Sequence, residues 1–159
     1  KITLIPDEAY LYEPMYDDVV GDAGQTITLE PWNRWELDLP AEPVEVIGDR
    51  DRLHQVMANL LANARTHTPP GTTVRTSLRS KGDEVHLSVT DDGPGIPEDL
   101  QPDVFERFTR GDDSRARASG STGLGLSIVA AVARTHGGDV SVESRPGSTT
   151  FTVTLPVGA

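Results

Sequence analysis

The sequence predicts an α+β domain, a two-layer α/β sandwich whose mixed sheet is covered on one face by helices. Three observations carry that prediction. Apolar residues recur at three- and four-residue spacing in two separate segments, within 53–64 and within 126–133. Apolar–polar alternation, the period of a half-buried strand, precedes and follows each of them. Short turn signals join successive alternating segments as hairpins, which calls for antiparallel pairs beside any parallel one.

In order along the chain, residues 1–25 carry little pattern. Residues 17–23 fit a short helix whose Val19 and Val20 touch the core, between breaks at Pro6, Pro14, Gly21 and Gly24. Residues 26–29 read as extended. Trp35, Leu37 and Leu39 then alternate with Glu36 and Asp38, a half-buried strand that stops at Pro40, and Trp32 and Trp35 read as packing residues. A further short strand over 44–47 is closed by Gly48. Asp49 or Asp51 can cap the first clear helix, whose core face holds Leu53, Val56, Met57, Leu60, Leu61 and Ala64. Pro69, Pro70 and Gly71 end it. Val74, Thr76 and Leu78 alternate, residues 80–83 turn, and Val85, Leu87 and Val89 alternate again, delivering Asp91 to the end of the sheet. Leu126, Ile128, Val129, Val132 and Ala133 line a second helix that Gly137 and Gly138 stop. Val140 and Val142, a turn at Gly147, and Phe151, Val153 and Leu155 complete the sheet. No internal repeat or low-complexity tract is evident.

The length of 159 residues fits one domain with a real core. A net charge of −11 argues against a nucleic-acid footprint, which needs a clustered basic face. Eleven carboxylates precede Gly48, against only Lys1 and Arg34, whereas Arg107, Arg110, Arg115 and Arg117 crowd into eleven positions. On charge alone that arginine loop either faces an anion or is simply solvated. The absence of cysteine excludes disulfides and thiolate metal sites. No signal peptide and no apolar run near eighteen residues is present, so direct membrane contact is not expected. A start at Lys1 without methionine reads as an excised or processed piece.

The stretch 89–129 organises the chemistry. A strand stops at Asp91 beside Gly93 and Gly95, and Gly120, Gly123 and Gly125 run into the second helix. Glycines let backbone N–H groups approach a ligand, and a helix N-terminus carries partial positive charge, so this arrangement can cradle phosphate. The Asp92–Gly93 pair alone could be a plain turn, but the doubled Gly-x-Gly with Pro94 and Ile96 exceeds what one tight turn needs. On the first helix, Asn59 and Asn63 stand one turn apart beside the apolar stripe. Two readings stay open for them: amides bonded to neighbouring backbone, or carbonyl oxygens aimed at a hard cation such as Mg2+.

Four motifs resemble those of one family. DRLHQVMANLLANARTHTP (51–69) resembles the N box of sensor histidine kinases, DDGPGIP (91–97) their G1 box, VFERFTR (104–110) their F box and GSTGLGLSIV (120–129) their G2 box. SRPGSTTFTVTLP (144–156) is similar to the close of that catalytic domain. The resemblance covers about 19–156 in order. It implies the Bergerat ATP-binding fold, shared with gyrase-type topoisomerases, heat-shock chaperones of the ninety-kilodalton class and mismatch-repair ATPases. It further implies ATP and Mg2+ as cofactors. Asp91 would accept a hydrogen bond from the adenine amine, and Gly93 and Gly95 would let the backbone pass close. Asn63 would ligate Mg2+ with help from Asn59. Gly123 and Gly125 would lay N–H groups along the phosphates, and Arg107 would reach the γ-phosphate or the incoming histidine. His67, Ile96, Arg110, Thr122, Leu124 and Leu126 complete the implied nucleotide contacts. Where hydrolysing relatives carry a glutamate, Asn59 cannot activate water, so transfer is favoured over hydrolysis.

The resemblance divides the chain into an N-terminal segment or linker remnant (1–18) and a catalytic ATP-binding domain (19–159), with a lid at about 99–121 that orders on nucleotide binding. Three departures stand out. Thr66 and His67 replace a frequent Lys-Tyr pair, which removes a cation near the phosphates and leaves His67 as an adenosine wall or packing residue. The glycine pair before the last strand is reduced to Gly147, with Thr149 at the second position. None of His54, His67, His86 and His136 has the phosphoacceptor context, so the acceptor belongs to a dimerising hairpin, in the same full-length protein or in a separate chain. The expected function is transfer of the ATP γ-phosphoryl group to that histidine for relay to a response regulator, on the cytoplasmic side of a membrane-bound sensor. The rival readings are an ATP-binding regulatory module and an anti-sigma-type serine kinase on the same fold. A Rossmann reading fails at Ile128, and a P-loop lacks its Gly-Lys-Ser/Thr.

Overall fold

The computed structural model describes residues 2–4, 33–106 and 124–158. The expected helix at 17–23, the extended residues 26–29 and Trp32 lie outside the described residues. Among the described residues, seven strands and two α-helices follow in order: β1 (Ile2–Leu4), β2 (Arg34–Asp38), β3 (Val44–Val46), α1 (Arg50–His67), β4 (Thr73–Lys81), β5 (Glu84–Asp91), a 3-10 turn (Gln101–Asp103), α2 (Gly125–Thr135), β6 (Asp139–Arg145) and β7 (Ser148–Pro156). β1 pairs antiparallel with β3, Ile2 opposite Val46. β1 lies within residues 1–18, which the sequence sets apart as a segment, and its partner lies in 19–159. The main sheet has the order β2-β4-β5-β7-β6. Among the described strands only β2 and β4 run parallel, joined through β3 and α1, and the other pairs are antiparallel. The mixed two-layer sandwich is therefore present.

Local chemistry explains the elements. Asp49 is the residue that caps α1, its Oδ1 accepting from Arg52 N–H at 3.1 Å. Leu53, Val56, Leu60, Leu61 and Ala64 form its buried stripe. The β4–β5 turn is tighter than expected: Lys81 pairs with Glu84 around Gly82, whose φ of +62° suits glycine. α2 ends in a Schellman motif, with Gly138 N–H on the Ala133 carbonyl at 2.9 Å and Gly137 N–H on Arg134 at 3.0 Å. Gly138 also lies directly against the Thr154 carbonyl, where a Cβ has no room.

The core fills the gap between sheet and helices. Val74 and Leu78 of β4, Val85, Leu87 and Val89 of β5, and Phe151, Val153 and Leu155 of β7 face α1 and α2. Trp35 and Leu37 pack on its margin, as the alternation implies. The opposite face of the sheet is polar, with Ser88 hydrogen-bonded to Thr152 and Thr90 to Thr150. Toward the β2 edge of the sheet, Arg75 pairs with Glu36 at 2.8 Å and Arg79 with Asp38, exposed pairs that contribute little to stability.

Candidate functional site

The strand period decides where Asp91 sits. Val85, Leu87 and Val89 point into the core, and one more step of two places Asp91 on the same helix-covered face. Its register partners are Val74 on β4 and Thr149 on β7. The residue is only 7 % exposed, and burial raises its pKa above the ordinary aspartate value. The Gly93 N–H, donated to Oδ1 at 3.0 Å, pulls the other way, and the neighbouring Asp92 adds a smaller upward push. Asp92 itself is structural, its Oδ1 accepting from Thr73 N–H at 2.7 Å.

The turn after Asp91 leaves no space for side chains at its glycines. A Cβ on Gly93 would stand 2.8 Å from Asp91 Oδ1 and 3.2 Å from the Thr68 methyl. Gly95 has φ +86°, and a Cβ there would stand 2.7 Å from the Arg145 carbonyl carbon and oxygen. Gly93 C=O accepts from Gly147 N–H at 2.8 Å, so the turn is joined to the β6–β7 hairpin. Thr149, noted in the sequence only as a lost glycine, is buried opposite Asp91 and hydrogen-bonds Ser144 at 2.7 Å. Stepping back by two from Phe151 would have placed it on the buried face.

α1 links this turn to the start of α2. Asn59, Asn63 and His67 follow one another at four-residue spacing, which aligns them in one stripe. The helix closes at Thr68, whose hydroxyl donates to the Ala64 carbonyl at 2.6 Å and accepts from buried Asn33 Nδ2 at 2.8 Å. Thr68 is the residue that meets Gly93. At the other end of the stripe, Asn59 faces Gly125, the first residue of α2: a Cβ on Gly125 would stand 3.7 Å from the Asn59 carbonyl oxygen. From Asn59 to Thr68 is nine residues, about 13 Å along the helix at the usual rise. The aspartate turn thus meets one end of the stripe and the glycine at the head of α2 meets the other.

Asn59 Nδ2 is buried with no hydrogen-bond partner among the described residues. Such an orphan is costly and asks for a reason. α2 begins without a side-chain cap, Leu124 at the N-cap position making none. Leu124, Gly125 and Leu126 are half-buried, as are Asn63, Gly95 and Ile96, whereas Thr66 and His67 are exposed. Arg107, Arg110, Thr122 and Gly123 lie outside the described residues. So does most of the expected lid; within its first part, residues 99–106, Phe105 packs edge-on against Phe151 at 6.0 Å.

The donor set suits Mg2+. Asn59 and Asn63 offer amide oxygens, hard ligands, and Asn59 lies against Gly125. Among the described residues no group of three His, Cys, Asp or Glu side chains could hold a metal by itself. A cation here would take further oxygens from a bound anion or water, which is how Mg2+ is commonly held. Sequence reasoning missed Asn33, Thr68, Ser144 and Gln101 as parts of the site.

Comparison with known proteins places this geometry. Residues 48–159 match the family of histidine kinase-, DNA gyrase B- and HSP90-like ATPases. The chain is 56 % identical over 140 residues to the probable sensor histidine kinase TcrY of Mycobacterium tuberculosis, covering 88 % of this chain and 29 % of that protein. It is 44 % identical over 146 residues to the sensor histidine kinase TrcS of the same organism, covering 89 % and 28 %. The chain therefore spans less than a third of the length of these relatives. Among solved structures, the mycobacterial sensor histidine kinase MprB superposes with a TM-score of 0.66 at 35 % identity, covering 78 % of this chain and 83 % of that one. The chain belongs to the histidine kinase-, DNA gyrase B- and HSP90-like ATPase family, in the branch of sensor histidine kinase catalytic domains.

Proposed function

We propose that the chain binds Mg2+-ATP along the α1 stripe and transfers the γ-phosphoryl group to a histidine on a dimerising helical hairpin. A response regulator would then take the group onto an aspartate. The observation that carries the proposal is Asp91, a carboxylate kept 7 % exposed at the open end of the sheet. One oxygen is committed to its own turn, and the second is assigned to the adenine amine. Burying a carboxylate is costly, and a ligand donor that satisfies it recovers that cost only when bound. Ile96 and His67 flank the base, and the backbone of Gly93 and Gly95 passes close to it.

The uncapped start of α2 is assigned to the phosphates, with backbone N–H groups of Gly123, Leu124, Gly125 and Leu126 and the hydroxyl of Thr122. Asn63 and Asn59 would hold the cation through their carbonyl oxygens, and the orphaned Asn59 Nδ2 would donate to a phosphate oxygen. Bound Mg2+ would offset phosphate charge. Arg107 and Arg110 stabilise the charge of the moving phosphoryl group. An imidazole nitrogen of the acceptor forms the N–P bond as the bond from Pγ to the β,γ-bridging oxygen breaks; ADP leaves, and the imidazole proton passes to solvent. Such a reaction depends on positioning and charge rather than on a protein nucleophile. Asn59 cannot deprotonate water, so hydrolysis is slow. The work is assigned to the cytoplasm, with no nucleic acid or membrane bound directly.

The test mixes the chain, γ-labelled ATP and Mg2+ with histidine hairpins of sensor kinases. Acid-labile label on the hairpin that moves to a receiver domain is the expected result. Acid-stable seryl label, or nucleotide binding without transfer to any hairpin, contradicts it.

A further inference from the structure

We infer that Gln101 is a positioning residue for the base end of the site, and that it acts through Ile96. The inference rests on the reading of residues 91–96 as the base-binding turn. Gln101 belongs to none of the motifs noted in the sequence. Its side-chain amide uses both hydrogens on backbone carbonyls from two different elements: Ile96 O at 2.8 Å and Ser144 O at 3.1 Å. Two carbonyl acceptors require the nitrogen, not the oxygen, to face them. The Ile96 N–H is held in turn by Ser144 Oγ at 2.8 Å, and that hydroxyl is shared with buried Thr149 at 2.7 Å. Both polar backbone groups of Ile96 are therefore fixed by side chains, one from Gln101 and one from β6.

The consequence is mechanical. Gly95 adopts a positive φ, and the backbone between it and the 3-10 turn contains Pro97 but no strand or helix to hold it. Without Gln101, Ile96 keeps a single anchor through Ser144. The Ile96 side chain packs against the core margin, so its placement sets how tightly a planar base is held against Asp91. Gln101 thus fixes the wall that selects the base, while the phosphate end at Asn59 and Gly125 is out of its reach.

The discriminating variant is Gln101→Glu, equal in size but presenting oxygens to two carbonyls. Competition of ATP and of GTP against a fluorescent ATP analogue reads base selection separately from phosphate binding. The expected result is about a tenfold loss of ATP affinity, from two lost hydrogen bonds, with GTP affinity unchanged, so that the ATP preference shrinks. An equal loss for both nucleotides, or no loss, overturns the role of Gln101. Failure of the unaltered chain to prefer ATP overturns the base-site reading itself, and Gln101's role with it. Should Gln101→Glu melt early by circular dichroism, Gln101→Met removes the same donors without adding charge and must show the same selective loss, otherwise the inference fails.

Discussion

At the scale of single residues, two kinds of buried polar group have to be told apart. Thr76 is 1 % exposed in the middle of β4, and its hydroxyl has no partner among the described residues. It lies between Val74 and Leu78 on the core face, opposite Val89, so the orphan sits among apolar side chains and carries a cost. Thr76→Val should stabilise the domain by on the order of 1 kcal/mol in a chemical denaturation series and leave nucleotide affinity unchanged. Asp91 is the opposite case. Its folded pKa is raised, so the folded chain holds the proton to higher pH than the unfolded chain does. The stability this lends is full below the unfolded pKa and is lost as pH rises through the folded one; at neutral pH the ionised group is a burden. Asp91→Asn should therefore leave the empty domain as stable as the parent, or more so, at pH 7, with the difference fading toward acid. The same variant should lose roughly 10- to 100-fold in ATP affinity by calorimetry, the usual effect of losing a hydrogen bond to a charged group. Asn63→Ala should remove the Mg2+ dependence of nucleotide binding while the melting curve stays put.

At the scale of elements, helices and hairpins were legible because their signals are local. The apolar stripe of α1, its Asp49 cap and its Pro-Pro-Gly stop are all written within twenty-five residues. The same holds for the Gly137–Gly138 end of α2. What could not be read is non-local. The three-residue pairing of β1 with β3 has too short a pattern to be seen, and the parallel register of β2 on β4 is set by packing across α1 rather than by a turn. The Asn33–Thr68 and Gln101–Ser144 bonds join residues 35 and 43 positions apart, with no periodicity to announce them. Asp91 and the glycines were legible because chemistry and backbone coincide there. Gly95 is the sharpest instance, with a positive φ and a carbonyl of β6 in the way. Gly95→Ala should cost about 2–4 kcal/mol in urea unfolding, from backbone strain plus the displaced hairpin.

At the scale of the whole molecule, one face of the sheet is committed to the core and the other to polar pairs such as Ser88–Thr152. The proposed site lies on the helix-covered side, where β5 ends and α2 begins, with α1 running between them. That arrangement brings three sequence-distant segments to one side of the sheet: β5 sets the aspartate, α1 sets the asparagines, and Gly125 at the head of α2 lies against Asn59. Sequence alone supplied the members of this set, but not that the aspartate turn meets α1 at Thr68 and the head of α2 meets it at Asn59, because those contacts depend on how the β5 turn and α2 pack on α1. The most direct measurement is amide chemical-shift mapping by nuclear magnetic resonance as Mg2+-ADP is added. The expected result is simultaneous shifts at Gly93, Gly95 and Ile96, at Gly125 and Leu126, and at the side-chain amides of Asn59 and Asn63, with Ser88 and Thr152 unmoved. Shifts at only one end of the α1 stripe, or centred on the polar face of the sheet, would contradict a single nucleotide site.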